Sequence, residues 1–301
     1  MSAMDTETFD VASSLKTLRL ACTAVGLSMA QEPELIRLGE NAVWRLPEHR
    51  LVARVARSID RFPLAERGVQ LARWMHSHHV PAVLPSDEVA NPVRTDDDRV
   101  VTWWTEVRHH RPATPAQLGA ALRALHDMPL PTPDLVSLPE ASTVDKVDQR
   151  LAAVSLTEPD RDFLQSMAAR LHREYTDLTY DLPYGLVHGD AHAANLLVTS
   201  DSQLGWVDLD GVAMGQPEWD LVLTPIEHEC GWVTSDAYQE FVDAYGYDVT
   251  TSPAYPVLRE VRLLRMTSWL AQLPSAQARD EVTRRIRDLR EGTPIQGWQA
   301  F

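Results

Sequence analysis

The chain has 301 residues and carries 28 Lys and Arg against 43 Asp and Glu, which gives a formal net charge of −15 at pH 7. Proteins that bind nucleic acid present a basic surface to the phosphate backbone, so this charge balance argues against a nucleic-acid partner. The hydrophobic share of 44% and the charged share of 24% are typical of a soluble globular protein. This length allows two lobes or domains.

The cysteine count and the lack of targeting patterns argue against a secreted or membrane protein. The chain has two cysteines, Cys22 and Cys230, so a disulfide framework is not expected. The segment MSAMDTETFD at the start is acidic and lacks the basic-then-apolar pattern of a secretory signal. No apolar run approaches the roughly 20 residues that span a bilayer. We therefore expect a cytoplasmic protein without a membrane partner, while the sequence gives no indication of oligomeric state.

The first third of the chain is rich in strands. Residues 10–25 have the apolar spacing of an amphipathic helix that ends at Gly26. Short apolar runs at 35–38, 42–46 and 51–55 predict three antiparallel strands. A helix is predicted over 63–75 and a buried strand over 99–104.

The remainder is predominantly helical. Helices are predicted over residues 114–127, 142–154, 158–175, 218–229, 235–245, 256–273 and 275–290. A strand-rich part followed by a helix-rich part predicts an α+β fold with two lobes and a cleft between them. We place the smaller antiparallel-sheet lobe, with its additional N-terminal helix, at residues 1–107 and the larger helical lobe at 108–301.

One hairpin lies within the helical part and carries the candidate chemistry. Two apolar runs, 196–198 and 204–207, flank a polar turn, which is typical of a β-hairpin. The hairpin would bring Asp208, at the end of its second strand, close to Asp190 and Asn195. Carboxylate and amide oxygens are hard ligands that suit Mg²⁺ and phosphates. The stretch therefore predicts a phosphoryl-transfer site.

Phosphoryl transfer depends on positioning and charge neutralisation more than on covalent help from the protein. Asp190 is the candidate base that orients the acceptor hydroxyl, and Asn195 and Asp208 are the candidate ligands of Mg²⁺. Arg54, late in the third predicted strand, is the candidate cation for the nucleotide phosphates. Asp210 is either a second carboxylate near the metal or a turn residue. Taken singly, Asp190 and Asn195 are also common turn residues; the functional prediction depends on their joint spacing with Asp208.

The spacing resembles that of the aminoglycoside phosphotransferase and choline kinase group, which has the two-lobed protein-kinase-like fold. The residues that carry the resemblance are His188-Gly189-Asp190-Ala191-His192-Ala193-Ala194-Asn195, followed by Trp206-Val207-Asp208-Leu209-Asp210. The resemblance implies that Asp190 is the catalytic base and that Asn195 and Asp208 coordinate Mg²⁺. It also implies that Asp220, in Trp219-Asp220, braces the catalytic loop.

Weaker parts of the resemblance extend through the rest of the chain. His126 matches a family histidine that is packed rather than catalytic, and His192 is expected to shape the loop. The segment between the lobes would run through residues 101–107. There the resemblance implies that backbone groups of Thr105 and Val107 bind the adenine edge.

The sequence departs from the family pattern in the strand lobe. The family's nucleotide lysine is replaced by Arg54, whose planar fork keeps the charge but changes the geometry. The loop before the second strand contains only Gly39, so it is not a glycine-rich phosphate cradle. Gly68 falls near the position of the helix glutamate that should pair with the cation, and we take Glu66 as the substitute partner.

Two other classes of function remain open from the sequence. His188, Asp190 and His192 alternate and on a strand would face one side, as in a zinc-dependent hydrolase. Asn195 and Asp208 would then have no function. A non-catalytic kinase-like binding protein would account for Arg54 and Gly68, but it has no chemical need for Asp190, Asn195 and Asp208 together.

The predicted function is a phosphotransferase that uses Mg²⁺ and ATP, or another nucleoside triphosphate, on a hydroxyl of a small molecule. An aminoglycoside or another antibiotic is the first acceptor class. A primary metabolite such as an amino alcohol or a sugar is the alternative. Glu227, Glu229 and Asp236 would meet the amines of a cationic acceptor, or they are solvated charges at helix ends.

Overall fold

The computed structural model describes residues 9–132, 134–141 and 146–301. The described residues form an α+β fold, as predicted, and separate into two compact units. The first unit contains the residues up to Pro112 with Pro131–Ser137 and Leu196–Asp210, and the second contains Ala113–Leu130, Leu138–Asn195 and Gly211–Phe301. The boundary between the two lobes that the sequence places at residues 107 and 108 stays a prediction. The packing assigns the hairpin to the first unit although it lies far beyond that boundary in the chain.

The strands are short and, apart from the first sheet, scattered along the chain. They are β1 (Glu34–Leu38), β2 (Asn41–Leu46), β3 (Leu51–Ala56), β4 (Val93–Thr95), β5 (Arg99–Thr105), β6 (Arg111–Pro112), β7 (Gly185–Val187), β8 (Leu196–Val198), β9 (Leu204–Trp206) and β10 (Ala213–Gly215). The helices are α1 (Val11–Val25), α2 (Phe62–Ser77), α3 (Pro115–His126), α4 (Lys146–Ala153), α5 (Glu158–Thr176), α6 (Glu218–Leu221), α7 (Leu223–Cys230), α8 (Ser235–Tyr245), α9 (Tyr255–Leu270) and α10 (Ala276–Glu291).

The first unit is built on an antiparallel sheet in the order β1-β2-β3-β5-β4. Helix α1 begins at the cap Asp10, whose carboxylate accepts from the amide of Ser13, and ends at Gly26 with a φ of 75°. This confirms the predicted helix and its glycine stop. Its apolar side joins Leu18 and Cys22 to one buried cluster with Trp44 and Trp103 of the sheet. Burial of apolar surface on both elements therefore holds α1 on the sheet.

A second, three-stranded sheet of the first unit contains the predicted hairpin. Its order is β6-β8-β9, and Leu196 pairs with Trp206 while Val198 pairs with Leu204. The backbone of Trp206 accepts from the amide of Val83 at 3.0 Å and donates to the carbonyl of Pro81 at 3.1 Å. These bonds attach the hairpin to the segment between α2 and β4, which is why it packs with the first unit.

The second unit is organised around α9. Its buried face, including Leu258, Val261 and Leu264, belongs to the largest apolar cluster of this unit. Helix α9 packs against α4, α5 and α10, and β7 pairs antiparallel with β10. The buried face of α9 is therefore held by packing with several other helices.

One predicted helix is interrupted in the structure. The sequence predicts a continuous helix over 218–229, but the chain forms α6 and α7 with Val222 between them. Proline has no amide hydrogen, and its ring clashes with the carbonyl four residues earlier. Pro225 therefore cannot donate a helical hydrogen bond to the carbonyl of Leu221, four residues earlier, and the helix is interrupted there. The first four residues of the helix predicted over 142–154 lie outside the described residues.

No helix in the described parts of the chain is long and apolar enough to cross a membrane.

Candidate active site

The loop that follows β7 carries the predicted base, and a buried carboxylate holds its backbone. The amides of His188 and Gly189 donate to the two oxygens of Asp220, at 2.5 and 2.8 Å. His126 lies 3.1 Å from the same carboxylate, and its other ring nitrogen lies 2.9 Å from the hydroxyl of Tyr245. Burial works to raise the pKa of Asp220, but the bond with His126 leads the effects that leave it below its ordinary value. The predicted bracing role of Asp220 and packed role of His126 are confirmed.

The loop requires glycine at position 189 for two reasons, its backbone conformation and the lack of space for a side chain. Gly189 has a φ of +80°, and a Cβ there would lie 2.3 Å from the carbonyl oxygen of Gly211. Two backbone segments thus touch at a position where only glycine fits. This contact sets the path of the chain immediately before Asp190.

Asp190 presents an accessible carboxylate beside buried cations. Its side chain is 51% exposed, and Oδ1 accepts from Nη2 of Arg262 at 3.2 Å. Oδ2 lies 3.9 Å from Nε2 of His192. Partial burial works to raise the pKa of Asp190, but the charge of Arg262 leads the opposing effects, which also come from His192, His188 and Arg265, and the pKa lies below its ordinary value. The carboxylate is therefore ionised and can accept a hydrogen bond from a hydroxyl.

Asn195 is buried at the end of the same loop. Its Nδ2 donates to the backbone carbonyl of Asp190 at 3.0 Å. Because a carbonyl oxygen can only accept, this bond determines which end of the amide faces the loop. The amide oxygen, the atom that a hard cation would need, is directed away from that bond.

Asp208 and Asp210 belong to the first unit, where both meet Arg54. Asp208 follows β9 with a φ of 58°, a left-handed conformation that aspartate tolerates better than most residues. Arg54 of β3 donates to the two oxygens of Asp210 at 2.8 and 2.5 Å and to Asp208 at 3.2 Å. With its amide oxygen facing the guanidinium, Asn41 also accepts from Arg54, at 2.7 and 3.0 Å. Asp210 is thus a bidentate anchor of the predicted nucleotide cation.

The structure does not bring Glu66 to Arg54. Within residues 9–132, 134–141 and 146–301, the ion-pair partners of Arg54 are Asp208 and Asp210. Glu66 is exposed and lines an open cavity of about 480 Å³ together with Arg67 and Gln70. Arg67, one residue further along α2, donates instead to the backbone carbonyl of Asp210 at 3.0 Å. Successive residues of a helix point about 100° apart, so α2 directs a cation rather than a carboxylate at this segment.

The predicted adenine-binding segment lies at the end of β5. The amide of Thr105 donates to the carbonyl of Leu84 at 2.9 Å, and that of Glu106 donates to the carbonyl of Arg50 at 2.9 Å. The carbonyl of Val107 accepts from His110 at 2.7 Å. The groups that remain to be tested as adenine contacts are therefore the carbonyl of Thr105 and the amide of Val107.

The chemistry of the predicted metal ligands fits magnesium rather than zinc. In the described part of the chain, no group of three or more His, Cys, Asp and Glu side chains is arranged to hold a metal. The alternating His188, Asp190 and His192 therefore do not form the zinc site considered from the sequence. Asn195 and Asp208 offer an amide and a carboxylate oxygen, and Mg²⁺ commonly takes one or two such ligands and completes its shell with phosphate and water.

The three acidic residues considered for a cationic acceptor differ in their surroundings. Glu229 is held by Arg259, with Nε at 3.0 and 2.9 Å, and by the hydroxyl of Tyr255 at 2.9 Å. Asp236 is exposed in the first turn of α8. Burial raises the pKa of Glu227 to about 7, against the opposing charge of Arg262. Glu229 is therefore neutralised within the protein, and Glu227 is the unusual carboxyl of the three.

Sequence reasoning missed Arg262, the residue in direct contact with the predicted base. It lies 72 positions beyond Asp190 in the chain. Its one local signal is an arginine within the otherwise apolar run Val261-Arg262-Leu263-Leu264 of α9. A charged residue on the buried face of a helix indicates a specific partner, but it does not say which one.

Structures of several small-molecule kinases have the same fold. A structure of amicoumacin kinase hAmiN with AMP-PNP, Ca²⁺ and amicoumacin is 14% identical, with 97% of this chain and 96% of that chain covered and a TM-score of 0.68. Spectinomycin phosphotransferase APH(9)-Ia with ADP and spectinomycin is 15% identical, with coverages of 94% and 95% and a TM-score of 0.66. A choline/ethanolamine kinase family protein from Mesorhizobium loti is 18% identical, with coverages of 93% and 94% and a TM-score of 0.63. These likenesses confirm the two-lobed kinase-like fold.

The sequence comparisons are decisive for the family. None of the curated protein sequences matches this chain. The model of the phosphotransferase enzyme family (APH), however, matches residues 35–261, which is more than half of the chain. The match covers both the strand-rich part and the loop with Asp190, and it confirms the resemblance stated from the motifs. The protein is an enzyme that belongs to the phosphotransferase enzyme family.

Proposed function

We propose that the enzyme transfers the γ-phosphoryl group of ATP, with Mg²⁺, to a hydroxyl of a small molecule, with Asp190 as the base. The observation that carries the proposal is the Asp190 loop. Its backbone is held by Asp220 and its carboxylate is ionised yet half-exposed. Such a carboxylate can orient a hydroxyl that approaches from solvent.

Each part of the proposed reaction has its own residues. Asp190 accepts the hydrogen bond of the acceptor hydroxyl and takes its proton as the oxygen attacks the γ-phosphorus. Asn195 and Asp208 are the proposed ligands of Mg²⁺, and Arg54 is the proposed contact of the α- and β-phosphates. When bound, Mg²⁺ would neutralise the charge of the phosphates. The carbonyl of Thr105 and the amide of Val107 are the proposed contacts of the nucleotide base.

Asp210 takes over the part that the sequence assigned to Glu66. The side chain of Arg54 is only 22% exposed, and a cation that is largely removed from solvent needs a partner to stay in place. The bidentate bond to Asp210 supplies that partner from the segment that follows the hairpin. We therefore propose Arg54 and Asp210 as one nucleotide-binding pair and Glu66 as a residue of the exposed cavity.

The acceptor class is proposed from the structural neighbours and from the charge of the chain. Neighbours with this fold include complexes with amicoumacin and spectinomycin, so an antibiotic hydroxyl is the first candidate. The net charge of −15 suits a cationic acceptor such as an aminoglycoside. An amino alcohol is the second candidate, because a choline/ethanolamine kinase family protein shares the fold.

The test combines an acceptor screen with one variant. ATP consumption is measured with Mg²⁺ over a panel that contains aminoglycosides, spectinomycin, amicoumacin, choline, ethanolamine and sugars. We expect turnover with at least one acceptor and a loss of about 100-fold or more in Asp190→Asn, the size expected for a lost general base. Retention of most activity by Asp190→Asn at an unchanged melting temperature would show that the base is another residue.

A further inference from the structure

A buried arginine of the C-terminal helices holds one oxygen of the proposed base. Nη2 of Arg262 lies 3.2 Å from Oδ1 of Asp190, and the arginine side chain is 8% exposed. We propose that Arg262 is a positioning residue for Asp190, which fixes the carboxylate so that Oδ2 meets the acceptor hydroxyl. This inference rests on the proposed function, because it assumes that Asp190 is the base.

Arg262 lies against the ring of Trp219, a residue that also contacts the loop of Asp190. Its guanidinium lies 5.4 Å from the centre of the Trp219 ring, a distance at which a cation is attracted to the face of an aromatic ring. Nε1 of the same indole donates to the backbone carbonyl of Gly189 at 3.1 Å. Trp219 therefore contacts both the arginine and the residue that precedes Asp190. The loop and the guanidinium share one rigid support.

The helix that carries Arg262 is firmly anchored. Val261, Leu263 and Leu264, its neighbours on α9, are buried in the core cluster of the second unit. A guanidinium on such a helix loses little further freedom when it binds a carboxylate. The exposed carboxylate thus takes its orientation from a buried element, which is how reacting groups are commonly pre-organised.

The two oxygens of the carboxylate are placed differently. Oδ1 is bound to Arg262, and Oδ2 lies 3.9 Å from the ring of His192. In the reaction the hydroxyl proton passes to Oδ2, and the acceptor oxygen bonds to the γ-phosphorus. The bond from that phosphorus to the β,γ-bridging oxygen breaks and ADP leaves. The proton is later released from Asp190 to water, so the enzyme returns to its starting state.

A purely structural role for Arg262 makes a different prediction. An arginine that only ties α9 to the rest of the second unit would affect stability, and its loss would resemble the loss of another tie to the same helix. The chain offers such a tie, since Arg170 of α5 is paired with Glu260 of α9. Arg170 has no contact with Asp190, which makes Arg170→Gln the matched control.

The experiment measures kcat and KM for MgATP with the panel acceptor that wild type phosphorylates fastest, in Arg262→Gln, Arg262→Lys, Arg170→Gln and Asp190→Asn. Misplacement of a reacting group by about 1 Å costs up to about 100-fold in rate, so we expect Arg262→Gln to lose about 10- to 100-fold in kcat with a KM for MgATP changed by less than about 3-fold. Arg262→Lys should recover part of the loss because it keeps the charge. Arg170→Gln should stay within about 2-fold of wild type, as expected for a half-exposed ion pair.

The outcomes separate this inference from the function on which it rests. With Asp190→Asn inactive, three results would each overturn the positioning role. They are an unchanged kcat in Arg262→Gln, a loss of kcat in Arg262→Gln no larger than that in Arg170→Gln, and a kcat of Arg262→Lys no higher than that of Arg262→Gln. An active Asp190→Asn would instead overturn the proposed base. If Arg262→Gln does not fold, the melting temperatures of Arg262→Lys, Asp190→Asn and the double variant are compared with that of wild type. Additive changes there would mean that the two residues do not interact, against the inference.

Discussion

The raised pKa of Glu227 makes a quantitative prediction about the stability of the protein. Glu227 lies in α7, and burial raises its pKa from the ordinary 4.5 to about 7, although the charge of Arg262 works in the opposite direction. The native protein therefore binds a proton that the unfolded chain has lost between these two pH values. The stabilisation from that proton is complete below pH 4.5 and is lost as the pH rises through 7. Above that range the buried carboxylate opposes folding.

The size of the effect follows from the two pKa values. A tenfold change in a protonation equilibrium corresponds to about 1.4 kcal/mol, so a rise from 4.5 to about 7 corresponds to about 3 kcal/mol. Residual contact with solvent lowers the expected value to about 1 to 3 kcal/mol. Glutamine keeps the shape of the side chain and cannot ionise. Glu227→Gln should therefore equal wild type in stability near pH 4.5 and exceed it by this amount at pH 8.5.

Urea unfolding of wild type and Glu227→Gln at both pH values measures this difference. Glu240→Gln, an exposed glutamate of the neighbouring α8, controls for the removal of one negative charge from an acidic protein. The reasoning is refuted if Glu227→Gln has the same stability as wild type at pH 8.5. An equal change at both pH values would likewise show that ionisation of Glu227 is not its cause.

Two further predictions concern the nucleotide and the loop. Arg54→Ala and Asp208→Ala should each weaken MgATP binding at least about 10-fold in calorimetric titration, since each removes a charged contact worth about 1.5–3 kcal/mol. Asp208→Ala should leave the binding of ATP without Mg²⁺ nearly unchanged. Equal losses of affinity with and without Mg²⁺ would contradict the role of Asp208 as a metal ligand. Gly189→Ala should lower the melting temperature and kcat more than Gly246→Ala, because both have positive φ but only Gly189 would bring a Cβ against the carbonyl of Gly211. Equal melting temperatures in the two variants would mean that the backbone contact is not tight.

Much of the local structure could be predicted from the sequence alone. The predicted helix over 235–245 has the same limits as α8, and the glycine stop of α1 at Gly26 was identified. Periodicity and capping act over a few residues, so a single stretch contains the information that they need. The break between α6 and α7 was missed, although it is also local and Pro225 was a signal that could have marked it.

The motif residues were likewise recognisable from their spacing. The spacing of Asp190, Asn195 and Asp208 carried the resemblance to the family, and the family match over residues 35–261 confirms that resemblance. Spacing does not state which side chains meet. The partner of Arg54 was therefore assigned from an expected register on α2, and the assignment to Glu66 did not hold in the structure.

The sequence by itself determined most of the helices and strands and the family. Only the tertiary structure decided that Asp210 anchors Arg54, that Arg262 reaches Asp190, and that burial raises the pKa of Glu227. The physical reason is distance along the chain: Arg54 and Asp210 are 156 residues apart, and Arg262 is 72 residues from Asp190. Such pairs depend on how whole helices and hairpins pack, and no local pattern encodes that packing.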